Sequence, residues 1–355
     1  MVDGPRGRHS AVVYDRTGGP EVLRMIDKPL REPGPGEVRV RIHRSGVNPT
    51  DWKARQGGPQ SVPLSAPQTP NQDGSGVVDA VGEGVDRAVL GRRVWVWEAA
   101  HAREEGTAQE YAIVPARHVV DLADTASFDL GASLGVPFLT AHRCLTVAED
   151  GPRRLGPGTM QSRVVLVAGG AGAVGNAAIQ LARWSDATVI ATVSSPAKAN
   201  LAAAAGADHV IDYTAEDVRR EVRKIAPAGV NHVAEVAAAE NAALDASLLA
   251  PLGSVAVYAD NGGDQLTLPI RTGMTVNARW QFVLVYTMPA RAKAEAVEDV
   301  TAAVIDEAVG VGEDAGLPVR HFSLADTARA HEAVQNSITG KVIIDVDEST
   351  HDGER

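Results

Sequence analysis

The segment from Val164 to Trp184, VVLVAGGAGAVGNAAIQLARW, has the residue types and spacing that a nucleotide phosphate site requires. Gly170, Gly172 and Gly175 form the pattern G-x-G-x-x-G between an apolar run and a stretch with helical spacing, where a strand meets a helix N-terminus. Unpaired N–H groups and the helix dipole favour an anion there, and glycine lets a pyrophosphate approach. The alternative is a turn that uses glycine only to pack the helix on the sheet. The predicted dinucleotide site comprises Gly169, Gly170, Gly172, Ala173, Val174 and Gly175.

The end of the following strand indicates which dinucleotide binds. NAD sites usually place Asp or Glu about 20 residues after the glycines, where the carboxylate binds the ribose hydroxyls. Here that stretch is TVSSPAKAN, in which Ser194 and Ser195 offer hydroxyl groups and Pro196 suits the first position of a helix. Lys198 lies in the first turn of that helix, where a cation opposes the helix dipole. Because no carboxylate would repel a 2′-phosphate, the sequence favours NADPH over NADH; a solvated surface lysine is the alternative interpretation of Lys198.

Two different patterns of elements surround these residues. The first third of the chain has short alternating runs such as EVRVRIH, GVVDAVG and EYAIV, which predict a barrel-like β domain. From about residue 163, apolar runs alternate with Ala-rich helical segments, which predicts an α/β fold with a parallel sheet covered on both faces. A long helix with Val297, Val300 and Val304 on one stripe and a final strand, KVIIDV, close this pattern. The ends, Met1 to Arg8 and Glu348 to Arg355, are expected to fray.

Composition excludes several classes of function. The net charge of −11 would repel a nucleic-acid backbone, and no run reaches the ~18 apolar residues that a membrane span needs. We therefore expect neither a nucleic-acid partner nor a membrane. Cys144 is the single cysteine, so an internal disulfide and a Cys-rich zinc lobe are impossible, and a reducing, cytoplasmic location is expected.

The order of motifs along the chain resembles that of the zinc-independent quinone oxidoreductases of the medium-chain dehydrogenase/reductase superfamily, the group that includes zeta-crystallin. The motifs are TGGPEVL, GVNPTDW, DGSGVVDAVGEGV, EYAIVPA, LGVPFLTAH, AGGAGAVG, AGADHVIDY and TGKVIIDV. The resemblance implies a GroES-like β-barrel catalytic domain of residues 1–139 and 288–355. A doubly wound Rossmann domain of residues 140–287, which binds NADPH, is inserted in it. The resemblance also implies a homodimer joined through the edge of the Rossmann sheet, at TVNARWQFV.

Comparison with the zinc alcohol dehydrogenases of the same superfamily argues against a bound metal. Those enzymes have Cys where this chain has Asn48, and a His-Glu pair where it has Gln72 and Asp73. An amide is a poor zinc ligand beside a thiolate or an imidazole. Without zinc to polarise an alkoxide, alcohol oxidation loses its main electrostatic support, whereas reduction of an electron-poor acceptor does not need it. The expected reaction is therefore metal-free hydride transfer from NADPH to a quinone or an α,β-unsaturated carbonyl.

Three residues that follow a predicted strand are candidates for the catalytic chemistry. The resemblance assigns Asn48 to orienting the acceptor or donating to its oxygen; capping a turn before Pro49 is the alternative. Asp51 is expected to hold the same loop through hydrogen bonds to the backbone. Lys53 stands where some relatives carry Tyr, so it is either a proton donor or an exposed surface residue.

The resemblance also implies further contacts with the cofactor. Thr140, in VPFLTAH, is expected near the nicotinamide carboxamide, with helix capping or packing as the alternative. Tyr213, in HVIDY, is expected beside the adenosine 2′-phosphate, with a half-buried ring at a strand end as the alternative. The backbone around Gly340 and Lys341 is expected to approach the cofactor.

Two other functions remain open on the sequence. One is an enoyl reductase that acts on a polyketide-like biosynthetic intermediate; the other is a protein that binds NADPH with little turnover. The loops Gly57 to Gln72 and YADNGGDQ would shape an acceptor pocket. Gly131 to Gly135, GASLG, matches the G-x-S-x-G nucleophile elbow of hydrolases, but it follows a helix-like stretch instead of a strand, so we do not expect a hydrolase.

Overall fold

The structure is a computed structural model that describes residues 7–58 and 64–347. The ends that were expected to fray, apart from Gly7 and Arg8, lie outside the described residues, as do residues 59–63 of the loop expected to shape the acceptor pocket. The chain forms two compact units, one of residues 1–136 and 319–355 and one of residues 137–318. Within the described ranges, no helix is both long and apolar enough to cross a membrane.

The strands, in chain order, are β1 (Arg8–Val13), β2 (Arg24–Pro29), β3 (Glu37–Val47), β4 (Asp73–Val81), β5 (Arg93–Val96), β6 (Tyr111–Pro115), β7 (Val119–Asp121), β8 (Val164–Ala168), β9 (Thr188–Val193), β10 (His209–Asp212), β11 (Val230–Glu235), β12 (Leu249–Val257), β13 (Arg279–Phe282), β14 (Val319–Ser323) and β15 (Lys341–Asp345). The α-helices are α1 (Pro49–Gln56), α2 (Phe128–Thr146), α3 (Ala173–Trp184), α4 (Pro196–Ala204), α5 (Val218–Ile225), α6 (Ala238–Leu248), α7 (Ile270–Val276), α8 (Ala290–Ile305) and α9 (Thr327–Gln335).

The main sheet of the first unit joins the two ends of the chain. Its strand order is β14-β15-β3-β4-β5-β7, and β6 pairs with β3. Val38, Val40 and Ile42 on β3 are at most 1% exposed, so the period-2 pattern of EVRVRIH does mark a core strand. β15 runs antiparallel to β3 with Val342 opposite Val47. This pairing sets the start of the last strand beside the end of β3, where the candidate catalytic residues begin.

The start of helix α2 packs closely on the sheet of the first unit. A β-carbon on Gly131 would lie 2.8 Å from the β-carbon of Ser75, so glycine permits the close approach. Ser133 lies inside this helix, and its hydroxyl donates to the carbonyl of Asp129 at 2.8 Å. A nucleophile elbow needs a strand, a sharp turn and then a helix, whereas the GASLG segment lies inside helix α2, so it does not have the geometry of that motif.

The second unit is the doubly wound parallel sheet that the alternating pattern predicts. Its strand order is β10-β9-β8-β11-β12-β13, and each neighbouring pair is parallel. Val165 and Val167 on β8 are 0% exposed, because helices cover the sheet and leave its central strands without contact with water. The reversal of strand order at β8 and β11 is the switch point beside which nucleotides bind in such sheets.

The boundaries between the units differ from the expected ones. The second unit runs from residue 137 to residue 318, instead of from 140 to 287, and so contains the long helix α8. The segment after this helix is tied to α3: Gln180 exchanges hydrogen bonds with the backbone of Gly310, and Asn176 donates to the carbonyl of Ala315 at 2.8 Å. Residues 288–318 pack on helix α3 of the second unit. The sequence of this segment contains no pattern that would assign it to the second unit instead of the catalytic domain.

Candidate active site

The glycine turn connects β8 to α3. Gly169 has φ +70°, a backbone region that favours glycine. A β-carbon on Gly175 would lie 2.3 Å from the carbonyl oxygen of Gly169, and one on Gly170 would lie 2.9 Å from the β-carbon of Ala191. Gly172 differs, because the nearest heavy atom to its β-carbon position is 3.4 Å away. Packing therefore accounts for two of the glycines, whereas Gly172 is exposed at the start of α3 and packing does not require a glycine there.

The end of β9 lies beside this turn. The N–H groups of Gly169 and Gly170 both donate to the carbonyl of Thr192 at 3.1 Å. Just beyond it, the Lys198 ammonium donates to the hydroxyl of Ser194 at 2.9 Å. An ammonium and a hydroxyl thus stand together at the carboxyl edge of the sheet, next to a turn suited to phosphate.

Ser195 and Tyr213 lie at the same edge of the sheet. The hydroxyl of Ser195 accepts from the N–H of Lys198 at 3.3 Å and caps helix α4, which begins at Pro196 as predicted. The N–H of Tyr213 donates to the carbonyl of Val193 at 3.0 Å, and the residue is 54% exposed. The ring is therefore accessible to a ligand. Thr140 lies on α2 and is 6% exposed; among the described residues, no hydrogen bond joins it to this group.

Asn48 stands between β3 and α1 in the first unit and is the N-cap of the helix. Asp51, three residues on, accepts the N–H of Asn48 at 2.7 Å and the N–H of Gln72 at 3.1 Å. Asp51 therefore joins two loops through backbone hydrogen bonds, which is the role expected for it. Lys53 is exposed on α1, with its ammonium 5.9 Å from the centre of the Trp52 ring, so the structure favours the surface interpretation of this lysine.

The Asn48 side chain has its own partners. Its Oδ1 accepts from the ammonium of Lys341 at 2.8 Å, and its Nδ2 donates to Oδ2 of Asp73 at 2.7 Å. Asp73 also accepts the N–H of Val136 at 2.9 Å. Asn48 is 2% exposed, and Asp73 and Lys341 are at most 1% exposed. The amide is therefore held at both ends inside the first unit, in addition to its place at the start of the helix.

Burial and charge shift the pKa values in this cluster. Burial raises the pKa of Asp73 to about 6, while the nearby ammonium of Lys341 acts in the opposite direction. Burial also raises the pKa of Asp51, and the charge of Asp73 adds to the rise. Burial lowers the pKa of Lys341, against the attraction of the two carboxyl groups. The ammonium of Lys341 therefore favours the charged form of both carboxyl groups and they favour its own, whereas the two carboxyl groups disfavour each other's charge.

Sequence reasoning missed the carboxyl group of Asp73 and the side chain of Lys341 as members of this cluster. Only the backbone at Lys341 was expected to matter. The sequence does hold a signal, since a lysine begins the otherwise apolar strand KVIIDV. A second signal is Gly135, where a β-carbon would lie 2.0 Å from Oδ1 of Asp73. The glycine of the apparent hydrolase motif thus makes room for a buried carboxylate.

Two protein families match this chain, one within each of its two units. The alcohol dehydrogenase GroES-like domain matches residues 34–124, and the zinc-binding dehydrogenase family matches residues 173–302. The synaptic vesicle membrane protein VAT-1 homolog of Rattus norvegicus is 33% identical over 265 residues, which are 74% of this chain. The match spans 62% of that protein, less than two thirds of its length.

Two further comparisons extend over nearly the whole chain. The structure of a mycobacterial protein complexed with NADPH has a TM-score of 0.76 and 28% identity, covering 95% of this chain and 99% of that one. The quinone oxidoreductase of Sus scrofa is 30% identical over 339 residues, which are 94% of this chain and 97% of that protein. This chain belongs to the quinone oxidoreductase family of the medium-chain dehydrogenase/reductase superfamily.

Proposed function

We propose that this protein is an NADPH-dependent oxidoreductase that reduces a quinone or an α,β-unsaturated carbonyl without a metal ion. The observation that carries the proposal is the buried Asn48 amide, held between Lys341 and Asp73. Its Nδ2 atom has one hydrogen left after the bond to Asp73. A donor held in place in this way stabilises an acceptor oxygen that gains negative charge as the acceptor is reduced. Membership of the quinone oxidoreductase family supports the acceptor class.

Bound NADPH supplies the hydride, and the second unit has the groups that fit its phosphates. Gly172 leaves the first turn of α3 open, so the unpaired N–H groups of that turn can bind a pyrophosphate. The ammonium of Lys198 and the hydroxyl of Ser194 suit a 2′-phosphate, and the exposed ring of Tyr213 is at the same edge. The remaining proposed contacts are Thr140 and the backbone at Gly340 and Lys341.

The proposal of metal-free chemistry is supported by the charges around Asn48. The Lys341 ammonium is 2.8 Å from Oδ1 of Asn48, so a divalent cation at this amide would meet a buried like charge. The amide is in any case a poor zinc ligand. Its two polar atoms are also bonded to Lys341 and Asp73. Asp51 keeps the role of joining the two loops, and Lys53 has no part in the proposed chemistry.

A panel of acceptors tests the proposed reaction. Purified protein is mixed with NADPH and with quinones, enones or saturated ketones and aldehydes, and the loss of reduced nicotinamide is followed. Turnover with quinones or enones, and none with the saturated compounds, is expected. Turnover only with enoyl thioesters would identify a biosynthetic enoyl reductase. Tight NADPH binding without turnover on any acceptor would contradict an enzymatic function.

Replacing Lys198 with Ala is expected to abolish the preference for NADPH. A charge-assisted hydrogen bond contributes about 1.5–3 kcal/mol, so the Kd for NADPH should rise about 10- to 100-fold while that for NADH does not change. Fluorescence titration with each cofactor measures both constants. Lys224→Ala removes another lysine of the second unit, which pairs with Glu221 on α5, and should affect neither constant. If the ratio of the two Kd values, for NADPH and for NADH, is the same in wild type and in Lys198→Ala, the assignment of the 2′-phosphate site is refuted.

We further propose that the protein is a homodimer joined through β13. This strand lies at one edge of the six-stranded sheet. Phe282 at its end is 64% exposed, and three more apolar side chains near it in sequence are also exposed by more than half: Ile270, Met274 and Leu284. An exposed strand edge with apolar side chains is suited to pair with a second copy.

Phe282→Asp should convert the dimer into a monomer, because it places a charge on the strand that the second copy would cover. Sedimentation velocity measures the mass of each species. Ile305→Asp is the matched control, since Ile305 is 65% exposed on α8, and it should remain a dimer. A monomeric wild-type protein would exclude this proposal.

A reducing cytoplasm is the proposed location. Cys144 is buried, and burial raises the pKa of its thiol to about 12, so the thiol stays protonated. The sequence has no second cysteine with which it could pair. Cell fractionation should recover the protein in the cytoplasmic fraction, and recovery from the secreted fraction would contradict this location.

A further inference from the structure

Lys341 is the first residue of β15 and is 1% exposed. Its ammonium donates to Oδ1 of Asn48 at 2.8 Å, and the charges of Asp73 and Asp51 act on it. An ammonium loses its hydration when it is buried, so it needs both hydrogen-bond acceptors and opposite charge around it. Packing alone would be served better by an apolar residue, since the rest of the strand core is Val342, Ile343 and Ile344.

The fold makes room for this side chain. Gly46 on β3 lies opposite Ile343 of β15 and opposite Asp73 of β4. A β-carbon on Gly46 would lie 3.2 Å from Cε of Lys341. The missing side chain therefore leaves space for the lysine stem, which reaches past β3 to the amide of Asn48.

The partners determine which way the Asn48 amide faces. An ammonium can only donate, so the atom facing Lys341 is the amide oxygen. On the other side of the amide, Nδ2 of Asn48 donates to Oδ2 of Asp73, so this atom is the amide nitrogen. Rotation of the amide by half a turn would set an NH₂ group against an ammonium and an oxygen against a carboxylate. The orientation is therefore unique, and it leaves one Nδ2 hydrogen available to a ligand.

We propose that Lys341 is a positioning residue for the reduction, acting through Asn48. The ammonium holds the amide in one orientation and draws electron density toward Oδ1, which makes the remaining Nδ2 hydrogen a stronger donor to the acceptor oxygen. This polarisation is effective because the pair is shielded from water. The inference rests on the proposed function, in which Asn48 donates to the acceptor.

The test is steady-state kinetics of Lys341→Met with the best quinone acceptor. Loss of a hydrogen bond to a charged group typically costs about 10- to 100-fold when it is expressed as a ratio of rates. We expect kcat to fall by about that factor, with KM for the quinone and Kd for NADPH close to wild type. Lys28→Met is the matched control, because it removes a partly buried lysine of the first unit that pairs with Glu105, away from Asn48. Its kcat should equal that of wild type.

Lys341→Met leaves Asp51 and Asp73 without their cation and could unfold the first unit. Thermal unfolding of Lys341→Met is therefore recorded beside its kinetics, and kcat is measured at a temperature at which the variant is folded. Lys341→Arg, which keeps a cation beside the two carboxyl groups, is the second variant. If Lys341 acts through Asn48, folded Lys341→Met has a low kcat and Lys341→Arg retains more of it. If folded Lys341→Met has the wild-type kcat, Lys341 serves only stability and the inference is wrong.

The pH dependence of kcat provides a readout that a structural role would not change. Burial lowers the pKa of Lys341, while Asp51 and Asp73, which face it from α1 and β4, oppose the shift; Glu98 acts on Asp73 from the next loop. In wild type, kcat should decline at alkaline pH as the ammonium loses its proton, below the usual pKa of a lysine. Lys341→Arg keeps its charge throughout this range, so its alkaline decline should vanish.

The outcomes separate this inference from the proposed function. A wild-type protein that reduces no acceptor overturns both. A wild-type protein that turns over, with Lys341→Met matching it in kcat, leaves the proposed function intact and overturns the inference. An alkaline decline that is the same in wild type and in Lys341→Arg also overturns it.

Discussion

Asn48→Ala should lower kcat by about 10²- to 10³-fold, the usual loss when a single donor to a developing oxyanion is removed. The Kd for NADPH should stay unchanged, because the proposed phosphate-binding residues, such as Gly172 and Lys198, belong to the second unit. The loss follows from the position of the amide, which Lys341 and Asp73 hold with one Nδ2 hydrogen unused. Steady-state kinetics and a fluorescence titration of NADPH measure the two quantities separately.

The same substitution also tests the alternative that Asn48 only starts helix α1. Loss of an N-cap residue costs about 0.5–2 kcal/mol of stability, which does not change kcat in a protein that remains folded. Thermal unfolding should therefore be recorded beside the kinetics. Asn336→Ala is the matched control, since Asn336 is an exposed asparagine at the end of α9 in the same unit. Wild-type kcat in folded Asn48→Ala would reduce Asn48 to a structural residue.

Gly46→Ala should destabilise the first unit by about 3 kcal/mol, at the upper end of the cost of overpacking a core. Its β-carbon would lie 2.0 Å from the carbonyl oxygen of Ala132 on α2 and 3.2 Å from Cε of Lys341. The contact with Ala132 involves backbone, so the helix and β3 must move apart. A loss of this size corresponds to a fall in Tm of about 6–12 °C for a unit of this length, which calorimetry resolves.

Gly273→Ala provides the control for the effect of glycine itself. Gly273 lies in helix α7, where the nearest heavy atom to a β-carbon is 3.9 Å away. Alanine is favoured over glycine inside a helix by about 1 kcal/mol, so this variant should be as stable as wild type or slightly more stable. An unchanged Tm in Gly46→Ala would show that β3 and α2 are not packed as closely as described.

The second unit could be predicted from sequence almost element by element. Each of its features is local: Val164 to Trp184 contains a strand, a glycine turn and a helix within 21 consecutive residues, and TVSSPAKAN contains the next strand end and the cap of α4. Local patterns of this kind express the hydrophobic period and the turn chemistry directly. The compact unit extends to residue 318 instead of ending at the expected residue 287, because the packing of residues 288–318 on α3 is a tertiary contact that local pattern does not express.

The cluster around Asn48 could be predicted only in part. Asn48 and Asp51 are neighbours in the chain, and a turn with a capping residue is recognisable. Asp73 and Lys341 meet Asn48 only because β4 and β15 pair with β3 on its two sides. Neither the pairing nor the burial of a lysine follows from local pattern, since a lysine beside a turn is normally exposed. Gly46 and Gly135 make room for these side chains, but this role can be recognised only once the fold is known.

The central claim is NADPH-dependent reduction that needs no metal, and one measurement tests it most directly. Zinc is quantified in the purified protein, a strong chelator is added, and NADPH oxidation with a quinone is followed before and after. We expect far less than one zinc per chain and turnover that the chelator leaves unchanged. The reason is that the Lys341 ammonium contacts Asn48 and would repel a metal cation there. Turnover that the chelator abolishes and added zinc restores would contradict the account.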